Sequence, residues 1–255
     1  MKAIILAGGF GTRLGSITET IPKPMIEIDN KPLLYHIMSS FSNYGINDFI
    51  LALGYKSEII KNYFLNFKSI NSDFEIDLES GNKEYFNSNP PKWRVSLIDT
   101  GLNTMTGGRL KRLSNYIKDD TFLLTYGDGL SNVNLRDLID FHKSHGKMVT
   151  VTAVRPNARF GELIIDNNIV KSFKEKPRTL KGRINGGYFV INKEFIDLID
   201  NDSTILEIDP LEKAASLNEL MAFKHDDFWQ CVDTPRDKYF LDSLVKKNKI
   251  YPWLK

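Results

Sequence analysis

Short apolar runs alternate with segments of helical period along most of this chain, and this alternation constrains the fold more than any other feature. Runs of strand length cover residues 2–7 and 49–53, and helix-type patterns cover residues 33–44 and 58–67. Because parallel strands need a crossover, usually a helix, to return the chain, this order predicts a mainly parallel, helix-covered sheet. The later predicted elements are strands over 94–99, 122–126, 148–154 and 188–191, and helices over about 109–117, 134–145, 193–199 and 235–246.

Two segments depart from the alternating pattern. Residues 71–92 are rich in Asn, Ser, Glu and Lys, and we interpret them as an excursion, an edge hairpin or a contact surface. Residues 161–165 and 169–173 are short strand-like runs separated by turn-forming residues, which predicts a small β-hairpin. Since we find no internal repeat or convincing linker, we expect a single domain over residues 1–255.

Charge and cysteine content exclude several classes of protein. The 34 basic and 32 acidic residues nearly cancel, so nothing global indicates nucleic acid or an anionic membrane as a partner. Cys231 is the only cysteine, which excludes an intramolecular disulfide framework and a thiolate-only metal site. The N-terminal apolar run is too short to span a bilayer and has no signal pattern, so we expect a cytoplasmic protein.

The first apolar run ends in a glycine-rich stretch that predicts a phosphate-binding loop. Gly8, Gly9 and Gly11 have no Cβ, so the backbone there can expose successive N–H groups to an anion at close range. Arg13 adds a permanently charged fork that suits phosphate oxygens. The spacing differs from Gly-x-Gly-x-x-Gly, and Thr12 and Arg13 stand where a P-loop needs its lysine and hydroxyl.

Polar clusters follow the carboxyl ends of four apolar runs. These clusters are residues 8–13, residues 126–129, residues 175–177 and Asp233. Ligands bind outside the carboxyl ends of the strands in open parallel sheets, so we expect the four clusters to share one edge and form an active site.

Asp128 and Asp233 are the candidate metal ligands. Asp128 lies between two glycines, which let the backbone turn and leave the carboxylate free to face a cation. Mg²⁺ is commonly bound by one or two carboxylates together with substrate phosphates, so a second acid is expected, and Asp233 is the candidate. The alternative for Asp233 is an N-cap of the helix that begins near Pro235.

Two lysines beside prolines are candidates for phosphate binding. Lys23 lies between two prolines that keep the local chain extended, and Lys176 precedes a proline. Either lysine alone is better explained by a solvated loop. Their occurrence together with the glycine loop favours a functional role.

A second glycine-rich segment leads into the helix predicted at about 109–117. Thr106 is a plausible N-cap there, and the N–H groups before the helix could bind a phosphate or the edge of a base. Arg109 is the arginine nearest to these glycines, although arginines on a helix more often form an exposed face.

Two other features, the Asn185-Gly186 segment and a pair of histidines, each have a structural and a functional interpretation. Asn185 and Gly186 precede a strand in a pattern that suits a polyhydroxylated ligand, but a simple turn explains it almost as well. His142 and His145 are three residues apart on a predicted helix but lack an accompanying carboxylate pair of metal-binding type, so we interpret them as helix-surface and last-turn residues.

Taken together, these motifs resemble the sugar-1-phosphate nucleotidyltransferases, and within them the branch that uses CTP. The resemblance spans nearly the whole chain, because the order and rough spacing of the motifs agree from end to end. Its motifs are residues 6–14, Pro22-Lys23-Pro24-Met25, residues 99–101, residues 104–112, Asp128 in Tyr-Gly-Asp-Gly, Glu175-Lys176-Pro177, Asn185-Gly186-Gly187, residues 220–223 and Asp233.

The resemblance implies a Rossmann-like, three-layer GT-A-like fold with a mixed, mainly parallel sheet and a small sugar-side β elaboration. It also implies Mg²⁺, a homo-oligomer, specifically a hexamer, and synthesis of CDP-glucose and pyrophosphate from CTP and glucose 1-phosphate for surface polysaccharides such as O-antigen. The nucleotide would bind to residues within about 1–130, and the sugar phosphate to residues within about 131–255.

Each candidate residue receives a role from this resemblance. Arg13, Lys23 and Lys176 would be catalytic, and Asp128 and Asp233 would hold the metal. The sugar phosphate would bind Glu175, Lys176, Asn185 and Gly186. The nucleotide would bind Leu6, Ala7, Gly8, Gly9, Gly11, Thr12, Arg13, Lys23, Thr104, Thr106, Arg109, Gly127 and Asp128.

Three other functions stay open at this stage. The nucleotide could be dTTP or UTP, since phosphate contacts do not distinguish bases. A glycosyltransferase that consumes a nucleotide sugar would share the phosphate-facing edge and the acid-held metal. A non-catalytic nucleotide sensor is the third, although a sensor need not hold a metal at the α-phosphate.

Overall fold

The structure is a computed structural model that describes residues 1–156, 162–166, 168–174, 182–248 and 250–254. Its strands are β1 Ala3–Leu6, β2 Glu27–Ile28, β3 Lys31–Pro32, β4 Asp48–Leu53, β5 Asp73–Ile76, β6 Lys83–Phe86, β7 Arg94–Asp99, β8 Thr121–Tyr126, β9 Gly129–Ser131, β10 Val149–Val154, β11 Glu162–Asp166, β12 Ile169–Lys174, β13 Ile184–Asn192, β14 Leu220–His225 and β15 Trp229–Cys231. Its α-helices are α1 Ser16–Thr20, α2 Leu33–Ser42, α3 Ser57–Leu65, α4 Phe67–Ile70, α5 Thr106–Arg112, α6 Leu135–His145, α7 Asp209–Ser216 and α8 Pro235–Asn248.

A seven-stranded mixed sheet forms the centre, in the order β14-β10-β13-β8-β1-β4-β7. β1 is parallel to both β4 and β8, β4 is parallel to β7, and β10 is parallel to β14. β13 is antiparallel to its neighbours β8 and β10. The predicted mixed, mainly parallel sheet is therefore confirmed.

Helices cover both faces of this sheet, because alternate side chains of each strand point to opposite sides. Ala3 and Ile5 of β1 belong to one buried cluster, which includes apolar side chains of α2 such as Ile37. Ile4 belongs to the opposite cluster, where Leu110 of α5 packs. The helix-covered sheet predicted from the alternating pattern, and the three layers implied by the resemblance, are confirmed.

The two departures from the alternation are antiparallel hairpins. β5 pairs with β6 within the polar segment 71–92, and β11 pairs with β12 where the small β elaboration was predicted. Asn168 in the second turn has a φ of 65°, a left-handed conformation that asparagine tolerates better than most residues.

Some predicted elements were wrong. The helix expected at about 109–117 begins earlier and ends earlier, as α5 with a 3-10 turn Ser114–Tyr116 after it. The segment near 193–199 is a 3-10 turn, Lys193–Leu198, and α7 and β14 were not predicted. His142 lies buried between Thr150 and Asn192, which contradicts its interpretation as a surface residue.

Among the residues that the structure describes, none of the helices has both the length and the apolar character needed to cross a bilayer.

Candidate active site

The carboxyl ends of β1, β4 and β8 lie at the same edge of the sheet, and a cavity of about 390 Å³ lies there. Most of the predicted nucleotide-binding residues line this cavity, together with Phe10, Pro24, Leu102, Asn103, Met105 and Tyr126. The predicted ones are Leu6, Ala7, Gly8, Gly9, Gly11, Lys23, Thr104, Thr106, Arg109, Gly127 and Asp128.

The glycines of the first loop serve different purposes. Gly11 has a φ of 67°, which is the left-handed conformation expected of a glycine there. Gly8 keeps a negative φ, and its missing Cβ instead makes room for the Arg109 guanidinium, which a Cβ would overlap. A Cβ on Gly9 would meet no atom within 4 Å, so the loop is open at that position.

Arg109 is buried and binds the ends of several loops together. Its guanidinium donates five hydrogen bonds of 2.7 to 3.2 Å. The acceptors are the carbonyl oxygens of Gly8, Leu53, Gly101 and Leu102 and the hydroxyl of Thr100. The sequence also allowed Arg109 to lie on an exposed helix face, and the structure shows that this alternative is wrong.

Lys23 lies between the two acids that were predicted to bind metal. Its Nζ donates to Asp128 Oδ2 at 2.7 Å and to Asp233 Oδ1 at 2.5 Å. Arg13, whose side chain is 79% exposed, donates to Asp233 Oδ2 at 3.3 Å. The fold therefore brings together four charged side chains that are far apart in the sequence.

A small antiparallel sheet places Asp233 beside Asp128. β15 pairs with β9 so that Cys231 lies opposite Gly129, and the Val232 N–H donates to the Asp128 carbonyl at 2.9 Å. Asp233 thus reaches the site from this small sheet, whereas the sequence suggested that all four polar clusters follow strands of one sheet.

The alternative interpretation of Asp233 as an N-cap is wrong. The carboxylate of Asp237, one turn into α8, accepts hydrogen bonds from the backbone N–H groups of Asp233 and Thr234. The Thr234 hydroxyl in turn accepts from the Asp237 N–H at 3.4 Å. This reciprocal arrangement resembles a capping box and leaves the Asp233 carboxylate for Lys23 and Arg13.

Charge interactions set the protonation of the central groups. Burial alone would raise the pKa of Asp233, but the hydrogen bonds and charges of Lys23 and Arg13 outweigh it and lower that pKa. Burial likewise opposes the charge on Lys23, yet the neighbouring carboxylates, chiefly Asp128, raise its pKa. Burial raises the pKa of the Cys231 thiol, which keeps it protonated.

This group of side chains fits a hard divalent cation. Asp128, Asp233 and Cys231 each offer one ligand atom, and these atoms lie within 4.8 Å of one another. Carboxylate oxygens are the ligands that Mg²⁺ prefers, whereas a protonated thiol is a poor ligand for it. The two aspartates therefore form the fitting part of the donor set.

Other predicted residues lie at different places. Thr12 and Arg13 do not line the cavity, Glu175 and Lys176 lie outside the described residues, and Gly186 packs β13 closely onto β10. Asn185 donates to the Tyr126 hydroxyl at 3.3 Å and so lies next to the cavity.

The second glycine-rich segment does not offer the free N–H groups that the sequence suggested. The N–H groups of Gly107 and Gly108 both donate to the carbonyl of Thr204, at 3.0 and 3.2 Å. α5 begins at Thr106 with Met105 as its N-cap residue, and no side-chain cap bond forms there. Both glycines lie inside α5, and a Cβ on either would overlap the backbone of residues 202–204.

Sequence reasoning missed two residues of the site. Tyr126 was part of a quoted motif but received no role, and Glu207 had no signal, since it lies in an irregular segment before α7. In the structure Glu207 accepts hydrogen bonds from both Tyr126 and Thr106.

Comparisons with known proteins agree with this geometry. The family model for nucleotidyl transferases matches residues 2–241. The chain is 51% identical over 254 residues to a glucose-1-phosphate cytidylyltransferase of Salmonella typhi, covering 99% of this chain and 98% of the relative. It is 40% identical over 252 residues to a probable glucose-1-phosphate cytidylyltransferase of Bacillus subtilis, covering 98% and 96%.

Solved structures show the same fold. The crystal structure of HddC from Yersinia pseudotuberculosis superposes with a TM-score of 0.70 at 27% identity, covering 95% of this chain and 98% of that one. A UDP-glucose pyrophosphorylase complexed with UDP-glucose superposes with a TM-score of 0.69 at 16% identity, covering 96% and 98%. The predicted GT-A-like fold is thereby confirmed.

The fold and the charged edge of the sheet define a nucleotidyltransferase. With residues 2–241 matched, the chain belongs to the nucleotidyl transferase family. Its 51% identity to a curated cytidylyltransferase extends over nearly the full length of both proteins.

Proposed function

We propose that this protein is a glucose-1-phosphate cytidylyltransferase, which converts CTP and α-D-glucose 1-phosphate into CDP-glucose and pyrophosphate. The near full-length similarity to two curated cytidylyltransferases supports the choice of substrates. The structural observation that carries the proposal is the convergence of Lys23, Asp128 and Asp233 at an edge of the sheet beside the glycine loop.

The reaction joins two anions, so charge neutralisation and alignment are the main tasks of the site. A phosphate oxygen of the sugar phosphate attacks the α-phosphorus of CTP, and the bond from that phosphorus to the bridging oxygen of pyrophosphate breaks. Arg13, Lys23 and Lys176 offset the repulsion and stabilise the charge that builds on the α-phosphate and the leaving group. The nucleophile is already ionised, so no general base is needed.

A divalent cation belongs to this proposal, and Mg²⁺ is the ion we expect. Asp128 and Asp233 would hold it, since their carboxylates fit a hard cation better than the protonated thiol beside them. When bound, the ion would supply positive charge next to the phosphate oxygens. The glycine loop of residues 8–13, of which residues 8–11 line the cavity, would hold the triphosphate.

A matrix of substrates tests the proposal. Pyrophosphate release is measured with CTP, UTP, dTTP and GTP, each against glucose, mannose and galactose 1-phosphates, with and without Mg²⁺. We expect the highest kcat/KM for CTP with glucose 1-phosphate and no turnover after chelation. A preference for dTTP or UTP would change the assigned base, release of free nucleoside diphosphate from a nucleotide sugar would indicate a glycosyltransferase, and binding without product would indicate a sensor.

Assembly into a homo-oligomer, a hexamer by family resemblance, is a further proposal. Leu65 at the end of α3, Ile70 at the end of α4 and Leu78 between β5 and β6 are exposed, and exposed apolar side chains are available for contact with another subunit. Light scattering of the purified protein tests this, and a monomer at micromolar concentration would contradict it. Cytoplasmic location, the role in O-antigen synthesis and the division of a single domain near residue 130 stay predictions.

A further inference from the structure

Glu207 joins two side chains that line the cavity but lie on different elements. Thr106, the first residue of α5, donates its hydroxyl hydrogen to Glu207 Oε2 at 2.7 Å. Tyr126, the last residue of β8, donates its hydroxyl hydrogen to Glu207 Oε1. Thr106 and Tyr126 both line the cavity, whereas Glu207 does not.

This arrangement determines which hydrogen-bonding role each hydroxyl can offer to a ligand. A hydroxyl has one hydrogen and two lone pairs, and Glu207 takes the hydrogen in both cases. The Tyr126 oxygen already accepts from the Asn185 amide at 3.3 Å, and the Thr106 oxygen accepts from the Leu206 N–H at 2.9 Å. Each oxygen therefore has one lone pair left, and it can only accept.

The position of the Tyr126 side chain is fixed as well, since its hydroxyl donates to Glu207. Its ring is held from the other side, because Gly187 leaves room that a Cβ would remove. The position of the Tyr126 oxygen at the cavity is thus set by packing as well as by hydrogen bonds.

We propose that Glu207 is a positioning residue that fixes the Tyr126 and Thr106 hydroxyls as acceptors, so that this part of the cavity selects a hydrogen-bond donor on the bound substrate. The inference deepens the proposed function and rests on it for the identity of the substrates. Two substrate groups have the required chemistry: a hydroxyl of the hexose and the exocyclic amine of cytosine. The contact of Tyr126 with Asn185, a predicted sugar-side residue, favours the hexose hydroxyl.

The test compares wild type with Glu207→Gln, which keeps the shape but gives the side chain a donor of its own. The amide can then donate to one hydroxyl oxygen, so that this hydroxyl can turn its hydrogen towards the ligand. In the sugar arm, KM for glucose 1-phosphate and for deoxy and fluoro analogues at each hydroxyl is measured. Fluorine cannot donate, so wild type should reject the deoxy and the fluoro analogue equally at the selected position.

We expect Glu207→Gln to raise KM for glucose 1-phosphate about ten-fold with little change in kcat, and to regain activity with the fluoro analogue. In the base arm, the activity of Glu207→Gln with UTP is compared with its activity with CTP. An increase in that ratio would instead assign the exocyclic amine of cytosine as the selected donor, since uracil presents an acceptor at that position. Tyr126→Phe keeps the ring but removes the hydroxyl. It should therefore reduce the preference for glucose 1-phosphate over its deoxy analogue while the Glu207 carboxylate is unchanged.

Glu212→Gln is the matched control, since Glu212 is an exposed carboxylate on the adjacent α7, and it should behave as wild type. The inference would be overturned if Glu207→Gln lost the same fraction of activity with every substrate. It would also be overturned if the activity ratios of analogue to glucose 1-phosphate and of UTP to CTP both stayed unchanged. Absence of turnover by wild type would refute the proposed function instead. The Glu207 inference would then be decided by calorimetric Kd ratios of the same hexose phosphates and nucleotides, which need no catalysis.

Discussion

Replacing Arg109 by methionine should destabilise the protein strongly, because this buried side chain joins four carbonyl oxygens and one hydroxyl from separate loops. Methionine has a similar reach but no donors. The variant therefore removes the hydrogen bonds while it keeps most of the apolar volume.

The size of the effect follows from what each acceptor loses. The Leu53 and Gly8 carbonyls keep backbone donors, from Thr100 and Tyr55 respectively. The Gly101 and Leu102 carbonyls lose the donor that the structure shows for them. A buried polar group left unpaired costs about 1–3 kcal/mol, so two of them cost at most about 2–6 kcal/mol, since both hydrogen bonds are only partly buried.

Water entering from the adjacent cavity would recover part of this cost, and removing the charge also removes its desolvation penalty. We therefore expect a net loss of about 3 kcal/mol in the free energy of unfolding. For a chain of this length the loss corresponds to a fall in Tm of about 6–12 °C.

Thermal and urea unfolding of Arg109→Met measure this loss. Arg112→Met is the matched control, since Arg112 lies on the same helix but is about half exposed and pairs with Asp202 at the surface. We also expect a higher Kd for CTP, because Arg109 holds the Gly8 carbonyl of the glycine loop. If Arg109→Met were no less stable than Arg112→Met, the assignment of Arg109 as the residue that joins these loops would be wrong.

Three other predictions concern catalysis and pH. Asp128→Ala should lower kcat by ~10² to 10³, as for other preorganised electrostatic groups, and near-normal turnover would remove it from the reaction. Lys176→Ala should chiefly raise KM for glucose 1-phosphate, which steady-state kinetics would reveal; unchanged kinetics would place Lys176 outside the site. Burial lowers the pKa of His142, so the unfolded chain binds the extra proton more readily and stability should fall as pH drops through about 6.5. His142→Gln should flatten that dependence in urea titrations between about pH 7.5 and 5.5, and identical slopes would contradict the burial effect.

The fold could be predicted from local pattern because strands and helices differ in hydrophobic period. β7 agrees with its predicted bounds, and α6 and α8 agree within a few residues, since each has a regular apolar face. α5 was misplaced because Gly107 and Gly108 are typical of loops. In the structure they lie inside a helix, at positions where the backbone of residues 202–204 packs too closely for a side chain.

The sequence by itself determined the alternating α/β architecture, the glycine loop and the two acids, because each leaves a local mark in composition or spacing. Only the tertiary structure decided that Lys23 bridges Asp128 and Asp233, that Arg109 joins loops, and that Glu207 binds Tyr126 and Thr106. Except for the bonds of Arg109 to Leu53 and to the loop of residues 100–102, these contacts join residues that are 81 to 210 positions apart in the sequence. Such pairs depend on how the sheet and its edge hairpins bring strand ends together, and the local hydrophobic period of the sequence does not indicate this.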